Sequence, residues 1–405
     1  MNGWSDQLRS ELAQLEADGL RRQLHPAERH GRIIRRAGRD LVNLGGNDYL
    51  GFAEHPRLKD AAIAAIRDHG VGGTASRLVA GNLPLHEQLE ARFAAFKHHE
   101  AALFCPCGYT ANLAVVTTLA GKGDVIYVDK LAHASLLDAA QASGAVTRVF
   151  PHLNYERLDR LMERHTDANP AGGSPGPVRR RFIVTDSVFS MDGDVADLPR
   201  LCGLARRHDA ALIVDEAHAT GVLGPTGAGL AELQGVADRI DVTVSTAGKA
   251  LGGLGGIITA GRQVIDSLVT QARPFIYTTA VPPAQVAAVS AALDLLVSDP
   301  QPRLRLAELS ACVRDRLQEL DLPTVATTTP TPIIPLITGS SEAALDLSRH
   351  LEAEGFYVPA IRPPTVARGS SRARLSLRAD LTDEDIDRLC LAIGHWRGAG
   401  RREGG

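Results

Sequence analysis

Cysteine is scarce. The chain has five in 405 residues, and only Cys105 and Cys107 lie close together. So few and so scattered, they cannot form a disulfide framework, and they read as free apolar or partly buried thiols. No second pair at metal-ligand spacing follows them, which argues against zinc. An excess of charge of one sign is also missing: 44 Lys and Arg face 47 Asp and Glu, for a net −3. That argues against a nucleic-acid binder driven by phosphate contacts. No stretch approaches the ~20 apolar residues of a membrane span. The first 20 residues carry Asp6, Glu11, Glu16 and Asp18 and no apolar run, so they do not read as a secretory signal, and a cytoplasmic address is expected. No internal repeat is visible. What remains is 44% hydrophobic and 22% charged residues, the balance of a globular chain of two or three domains with ample core.

Residues 125–128, 182–184, 212–214 and 242–244 are short, nearly all-apolar runs, as suits strands buried on both faces. Helix-like stretches lie between them, at 132–142, 155–165 and 198–208. Strand and helix in alternation predict a mostly parallel α/β sheet. Residues 167–176 are too rich in Gly and Pro to continue a helix and predict an exposed loop insertion. A change of pattern near Val281, Pro282 and Pro283 is followed by a helical stretch at 284–296. Strand-like segments come later, at 333–337, 357–361 and 374–377. The expected organisation is an N-terminal helix and arm (1–45), a large α/β domain (46–285) and a small C-terminal α+β domain (286–405). The tail from 398 is expected to fray.

Ligands of open α/β sheets sit beyond the carboxyl ends of the strands. After 212–214 come Asp215, Glu216, Ala217 and His218; after 242–244 come Ser245, Thr246, Ala247, Gly248 and Lys249. The run after 182–184 includes Ser190, and that after 125–128 includes His133. A lysine at a strand end, between Gly248 and Ala250, can form a Schiff base with an aldehyde cofactor. A carboxylate such as Asp215 can keep a pyridinium nitrogen protonated, and so keep the ring an electron sink. His218 could reach a ring hydroxyl, and His133 could stack on the ring. A phosphate needs backbone N–H groups at a helix start. The run Cys107, Gly108, Tyr109, Thr110, Ala111, Asn112 offers one. Singly, each residue has a plainer reading: a surface lysine, a capping aspartate, an ordinary histidine. Together, each fills one role once. The glycines of 253–256 lack the spacing of a dinucleotide loop.

These residues lie within five longer blocks: Asn47-Asp48-Tyr49-Leu50-Gly51, 129–140, 188–194, 215–220 and 246–252. In them the chain resembles the α-oxoamine synthases, from about residue 20 to 391. The resemblance implies a PLP-dependent transferase of fold type I (aspartate aminotransferase-like), a large mostly parallel sheet domain plus a smaller C-terminal α+β domain. It implies pyridoxal 5'-phosphate on Lys249, Asp215 at the ring nitrogen, His218 and Ser190 around the ring hydroxyl, and His133 stacked on the ring. Gly108, Tyr109 and Thr246 would hold the phosphate side. Thr278 or Thr279 resembles residues given to the phosphate by a second subunit. Arg21, His133 and Thr365 match substrate-contacting positions, and Arg374 matches the arginine that takes the amino acid carboxylate, a job suited to its planar fork.

Members of the family join an amino acid to an acyl thioester with loss of CO2, so the chain is expected to be an acyltransferase. The segment Arg362, Pro363, Pro364, Thr365 resembles the branch serving biotin synthesis, which takes L-alanine and pimeloyl-CoA or a pimeloyl carrier-protein thioester. Lys249 would act as general base at the alanine Cα, and His133 would polarise the thioester carbonyl. A homodimer with a shared site is implied. The chain departs from the family at 377–382 and at Val366-Ala367. A glycine-using ligase, an aminotransferase or decarboxylase of the same fold, and a non-catalytic cofactor binder are the competing readings.

Overall fold

The computed structural model describes residues 3–18, 20–167, 180–320, 322 and 324–400. Most of the expected insertion at 167–176, and the end of the tail beyond 400, lie outside these residues. The final helix, Asp383–Gly400, runs past the point where fraying is expected. Among the described residues, no helix is long and apolar enough to cross a membrane.

Seven strands form the sheet of the larger unit: β1 (Ala101–Cys105), β2 (Val125–Asp129), β3 (Val146–Phe150), β4 (Arg181–Asp186), β5 (Ala210–Asp215), β6 (Val242–Thr246) and β7 (Gly256–Ala260). Their order is β1-β7-β6-β5-β4-β2-β3. Only β7 is antiparallel to its neighbours; the other pairings are parallel. The central strands are buried along most of their length, as a sheet covered on both faces requires. Helices α1 (Gly108–Leu119) and α2 (Ala134–Ala142) pack on each other and carry Ala111, Ala114, Val115, Leu136 and Ala139 into the core. Register sets Cys105, Gly256 and Thr246 abreast, and Asp186 beside Asp215. One edge of the sheet thus gathers the chain ends that carry polar side chains.

The larger unit is Gly46–Ile334 with Ser376–Leu381, and the smaller is Met1–Gly45, Pro335–Leu375 and Thr382–Gly405. The boundary expected near 285 therefore moves to 334. The reason is packing: Pro283–Ser298 lies along helix Pro56–His69 and buries Val286, Val289, Leu293 and Leu296. Further on, Arg303 donates to the Pro225 carbonyl at 2.6 Å and Arg314 to that of Ile333 at 2.7 Å. Both helices after residue 282, Pro283–Ser298 and Gln301–Glu319, therefore belong with the larger unit.

Residues 1–45 are more than a helix and a connecting arm. After helix Gly3–Ala17 come Glu28–His30, Ile33–Arg36 and Arg39–Asn43, an antiparallel meander joined in parallel by Phe356–Tyr357. Its second turn is Ala37-Gly38, both at positive φ (47° and 76°), the hairpin geometry that matches strand twist. The expected strand 357–361 splits in two. Phe356–Tyr357 joins this meander, and Ala360–Ile361 pairs with Ser371–Ser376. Pro359 between them has no N–H to continue a ladder.

Candidate active site

The carboxyl ends of β4 and β5 place two carboxylates side by side. Asp215 is buried. Its Oδ2 accepts from Asn112 Nδ2 at 2.6 Å and its Oδ1 from the Ala217 N–H at 2.8 Å. Asp186, also buried, accepts from the His133 N–H at 2.8 Å. Burial and the nearby charge of Asp215 push Asp186 well above the usual carboxylate range, against the pull of the His133 N–H and Lys249. Two buried acids so close call for positive charge between or above them.

Lys249 supplies part of it. It is half-buried in the turn after β6, and its charge is felt at both Asp186 and His133. That turn is held by bonds from the Ala247 N–H to Gly255, from Gly253 to Ala247 and from Gly252 to Lys249. Gly252 sits at φ 63°, and a Cβ there would meet the Ala53 nitrogen at 2.4 Å, so a side chain cannot be placed.

His133 caps α2. Its Nδ1 accepts from the Ser135 N–H at 3.3 Å and lies 2.7 Å from Ser135 Oγ. The imidazole is partly open to solvent, while its packed side lowers its pKa. Lys249 adds to that lowering, and Asp215 and Asp138 oppose it. An open ring face near a buried carboxylate and an amine suits a flat cationic heterocycle.

At the start of α1, Cys107 Sγ accepts from the Thr110 N–H at 3.5 Å. Gly108 lies against Thr246, whose Oγ1 would be 3.6 Å from a Cβ on the glycine. Thr246 Oγ1 donates to the Gly255 carbonyl at 3.0 Å and accepts from the Gly248 N–H at 3.2 Å. Gly256 lets the helix start approach the sheet, since a Cβ there would lie 2.3 Å from the Cys107 carbonyl. The open N–H groups of a first helical turn, a hydroxyl and glycines make an anion cradle. Tyr109 is exposed, with its hydroxyl donating to Asp138 at 2.5 Å.

His218 is buried, with Nδ1 2.7 Å from the Tyr49 hydroxyl. The motif containing Tyr49 is itself fixed from the unusual 377–382 segment. The Ala379 N–H donates to the Tyr49 carbonyl at 2.8 Å, and Arg378 pairs with Asp48 at 3.3 Å and with Asp380 at 2.8 Å. Ser190 is half-buried in the turn that ends at Asp194.

The structure thus brings His133, Asp215 and Lys249 within electrostatic reach, with Thr246 against Gly108 along the same strand-end edge. Arg21, Thr365 and Arg374 belong to the smaller unit. There, Thr365 Oγ1 accepts from Arg22 at 3.1 Å, while Arg21 pairs with Glu16. Arg21, Arg22 and Thr365 line a cavity of about 590 Å³ with Tyr357 and Arg362. Arg374 is buried on strand Ser371–Ser376, its N–H donating to the Pro359 carbonyl at 3.1 Å.

Asn112, Ser135 and Tyr49 join the site without having been singled out by the sequence. Asn112 follows Gly108 by four residues, hence shares its helix face, and that spacing was the available signal.

A family profile described as aminotransferase class I and II matches residues 39–393. The chain is 45% identical over 387 residues to the 8-amino-7-oxononanoate synthase of Geobacter sulfurreducens, covering 95% of this chain and 96% of that one. To the enzyme of the same name from Anaeromyxobacter dehalogenans strain 2CP-1 it is 44% identical, over 96% and 95%. Among solved structures, the serine palmitoyltransferase of Sphingomonas wittichii superposes with a TM-score of 0.89 at 30% identity, over 98% of each chain. One from S. paucimobilis, solved with a bound PLP–myriocin aldimine, gives 0.89 at 28% identity, over 97% of each. The 8-amino-7-oxononanoate synthase of Francisella tularensis gives 0.74 at 28% identity, over 89% of this chain and 99% of that one. The cofactor that these likenesses imply, pyridoxal phosphate, suits the donor set here: a buried carboxylate, an amine, an open imidazole face and an anion cradle on one edge.

Proposed function

Since the chain belongs to the 8-amino-7-oxononanoate synthases, within the aminotransferase class I and II family, we propose that it condenses L-alanine with a pimeloyl thioester. The products are 8-amino-7-oxononanoate, CO2 and the free thiol, in biotin biosynthesis. The acyl donor is pimeloyl-CoA or the pimeloyl carrier-protein thioester. The observation that carries the reading is the grouping of Lys249, His133 and the Asp186–Asp215 pair at the strand ends.

Pyridoxal phosphate, when bound, supplies an electron sink for charge developing at the alanine Cα. The residues of the chain do the rest. Asp215, fixed by Asn112 and the Ala217 N–H, offers its remaining lone pairs to the ring nitrogen. His218, braced by Tyr49, and Ser190 address the ring hydroxyl. Gly108, Tyr109 and Thr246 hold the phosphate, Gly108 and Tyr109 as the opening residues of α1. Lys249 would anchor the cofactor, and its Nζ is the group that would take the Cα proton of L-alanine as general base. His133 would stack on the ring and present a donor to the thioester carbonyl. Arg374 holds the alanine carboxylate by a forked pair of bonds, and Arg21 and Thr365 contact the acyl substrate. The protein works as a cytoplasmic homodimer with a shared site, to which Thr278 or Thr279 contributes.

Lys249→Ala tests the assignment. It should abolish both the visible absorbance of lysine-linked cofactor and turnover. Turnover at the parent rate would overturn the role of Lys249.

A further inference from the structure

Between His133 and Asp215 runs a chain of buried hydrogen bonds that the proposed chemistry does not require. Asn112 Nδ2 donates to Asp215 Oδ2 at 2.6 Å and to Ser135 Oγ at 2.8 Å. Ser135 Oγ lies 2.7 Å from His133 Nδ1. Asn112 and Ser135 are both buried.

Each proton in this chain is fixed by the next group. A carboxylate only accepts, so the amide of Asn112 must turn its NH2, not its oxygen, toward Asp215. The second amide hydrogen then goes to Ser135 Oγ. With one lone pair of that oxygen filled, the single Ser135 hydroxyl proton is free to donate to His133 Nδ1. Nδ1 also receives the Ser135 N–H. A proton on Nδ1 would meet two donors head on, so the ring proton sits on Nε2. In this orientation Asn112 Oδ1 is buried without a hydrogen-bond partner. Flipping the amide would turn that oxygen onto the Asp215 carboxylate instead.

We infer that Asn112 and Ser135 are positioning residues that lock His133 into the neutral Nε2–H tautomer and tie the orientation of its ring to the Asp215 carboxylate. The inference rests on the reading of His133 and Asp215 as the two groups bracketing the cofactor ring. It adds that the open edge of His133 is a hydrogen-bond donor, as polarising a carbonyl requires. The charged groups around the ring, Asp215, Asp138 and Lys249, together with its burial, leave its pKa lowered, in keeping with a neutral imidazole.

The test is nitrogen NMR on protein with 15N-labelled histidine rings, free of cofactor and then loaded with it. The signals of His133 are identified by their loss in His133→Gln. The parent should show a single Nε2–H pattern at neutral pH. Ser135→Ala and Asn112→Leu should each break the uniformity of that pattern, an Nδ1–H fraction appearing against the remaining bond from the residue-135 N–H. An Nδ1–H or cationic His133 in the parent would overturn the inference without any variant. So would an unchanged Nε2–H pattern in both folded variants. The absorbance of lysine-linked cofactor is read in the same samples. Its absence with the tautomer intact would overturn the cofactor reading and leave the relay standing.

Discussion

His152 is clamped between two buried carboxylates, and the clamp should be visible in the pH dependence of stability. Its Nδ1 lies 2.9 Å from Asp129 Oδ1 and its Nε2 2.8 Å from Asp194 Oδ2. Both partners only accept, so both ring nitrogens must donate and the ring is cationic. Burial pulls its pKa down, but the hydrogen bonds and charges of Asp129 and Asp194 outweigh it and raise it from 6.5 to about 9. A pKa raised by folding contributes stability that is fully present below about 6.5 and lost as pH rises through about 9. The shift corresponds to about 3 kcal/mol, reduced to about 2 kcal/mol by solvent screening because 21% of the side chain is exposed. Removing the ring altogether costs more. In His152→Leu, Asp129 keeps the N–H groups of Leu131 and Leu153. Asp194 loses its partner on Oδ2, and its Oδ1 already has none. Breaking a buried pair in this way costs about 3–5 kcal/mol. Urea unfolding followed by far-UV circular dichroism, on parent and variant at pH 7 and pH 10, separates the two effects. The variant should be destabilised at pH 7, and the difference should narrow by about 2 kcal/mol at pH 10, where the parent ring is neutral. A difference that is equal at both pH values would refute the cationic clamp. The clamp also fixes the turn that carries Ser190, four residues before Asp194, so His152→Leu should weaken cofactor binding as well.

Lys97 and Glu216 form a buried ion pair beside Asp215, and Lys97 also reaches the Thr220 hydroxyl at 3.3 Å and the Ala228 carbonyl. Lys97→Met should cost about 3–5 kcal/mol by taking the cation from the buried Glu216 carboxyl, which keeps only the Ala231 N–H at 2.8 Å. Adding Glu216→Gln should recover part of that loss, and simple additivity in urea unfolding would count against the pair. Arg374→Ala should raise KM for L-alanine about 100-fold, the loss of one or two charge-assisted hydrogen bonds, and Arg374→Lys should restore only part of it. An unchanged KM would place the carboxylate elsewhere.

The central strands were legible because burial on both faces leaves an unbroken apolar run. The runs at 125–128, 182–184, 212–214 and 242–244 all sit inside observed strands, and the residues after them line the site. Strands β1, β3 and β7 were not read. Gly256–Ala260 follows a glycine cluster that masks its start, and Val146–Phe150 has a largely exposed, edge-strand pattern. The domain boundary was misplaced because the apolar face of 283–298 does not say which sheet it covers. The same limit applies within the site. Lys249, Asp215 and His133 were found because each follows a strand, a local signal. Asn112 and Asp215 are 103 residues apart, and Tyr49 and His218 are 169 apart. Side-chain pairs at such separations are set by the topology of the sheet and leave no mark in a local pattern. The meander of Glu28–His30, Ile33–Arg36 and Arg39–Asn43 was missed for another reason: its strands are short and half exposed, so little alternation shows.

The reaction itself tests the proposed activity most directly. Purified protein loaded with pyridoxal phosphate is mixed with pimeloyl-CoA and, in turn, L-alanine or glycine, and thiol release is followed together with the mass of the amino-ketone formed. With L-alanine, equal amounts of free CoA, CO2 and 8-amino-7-oxononanoate should appear. Thiol release and product with glycine but not with L-alanine would contradict the account and move the chain to the glycine-using branch of the family.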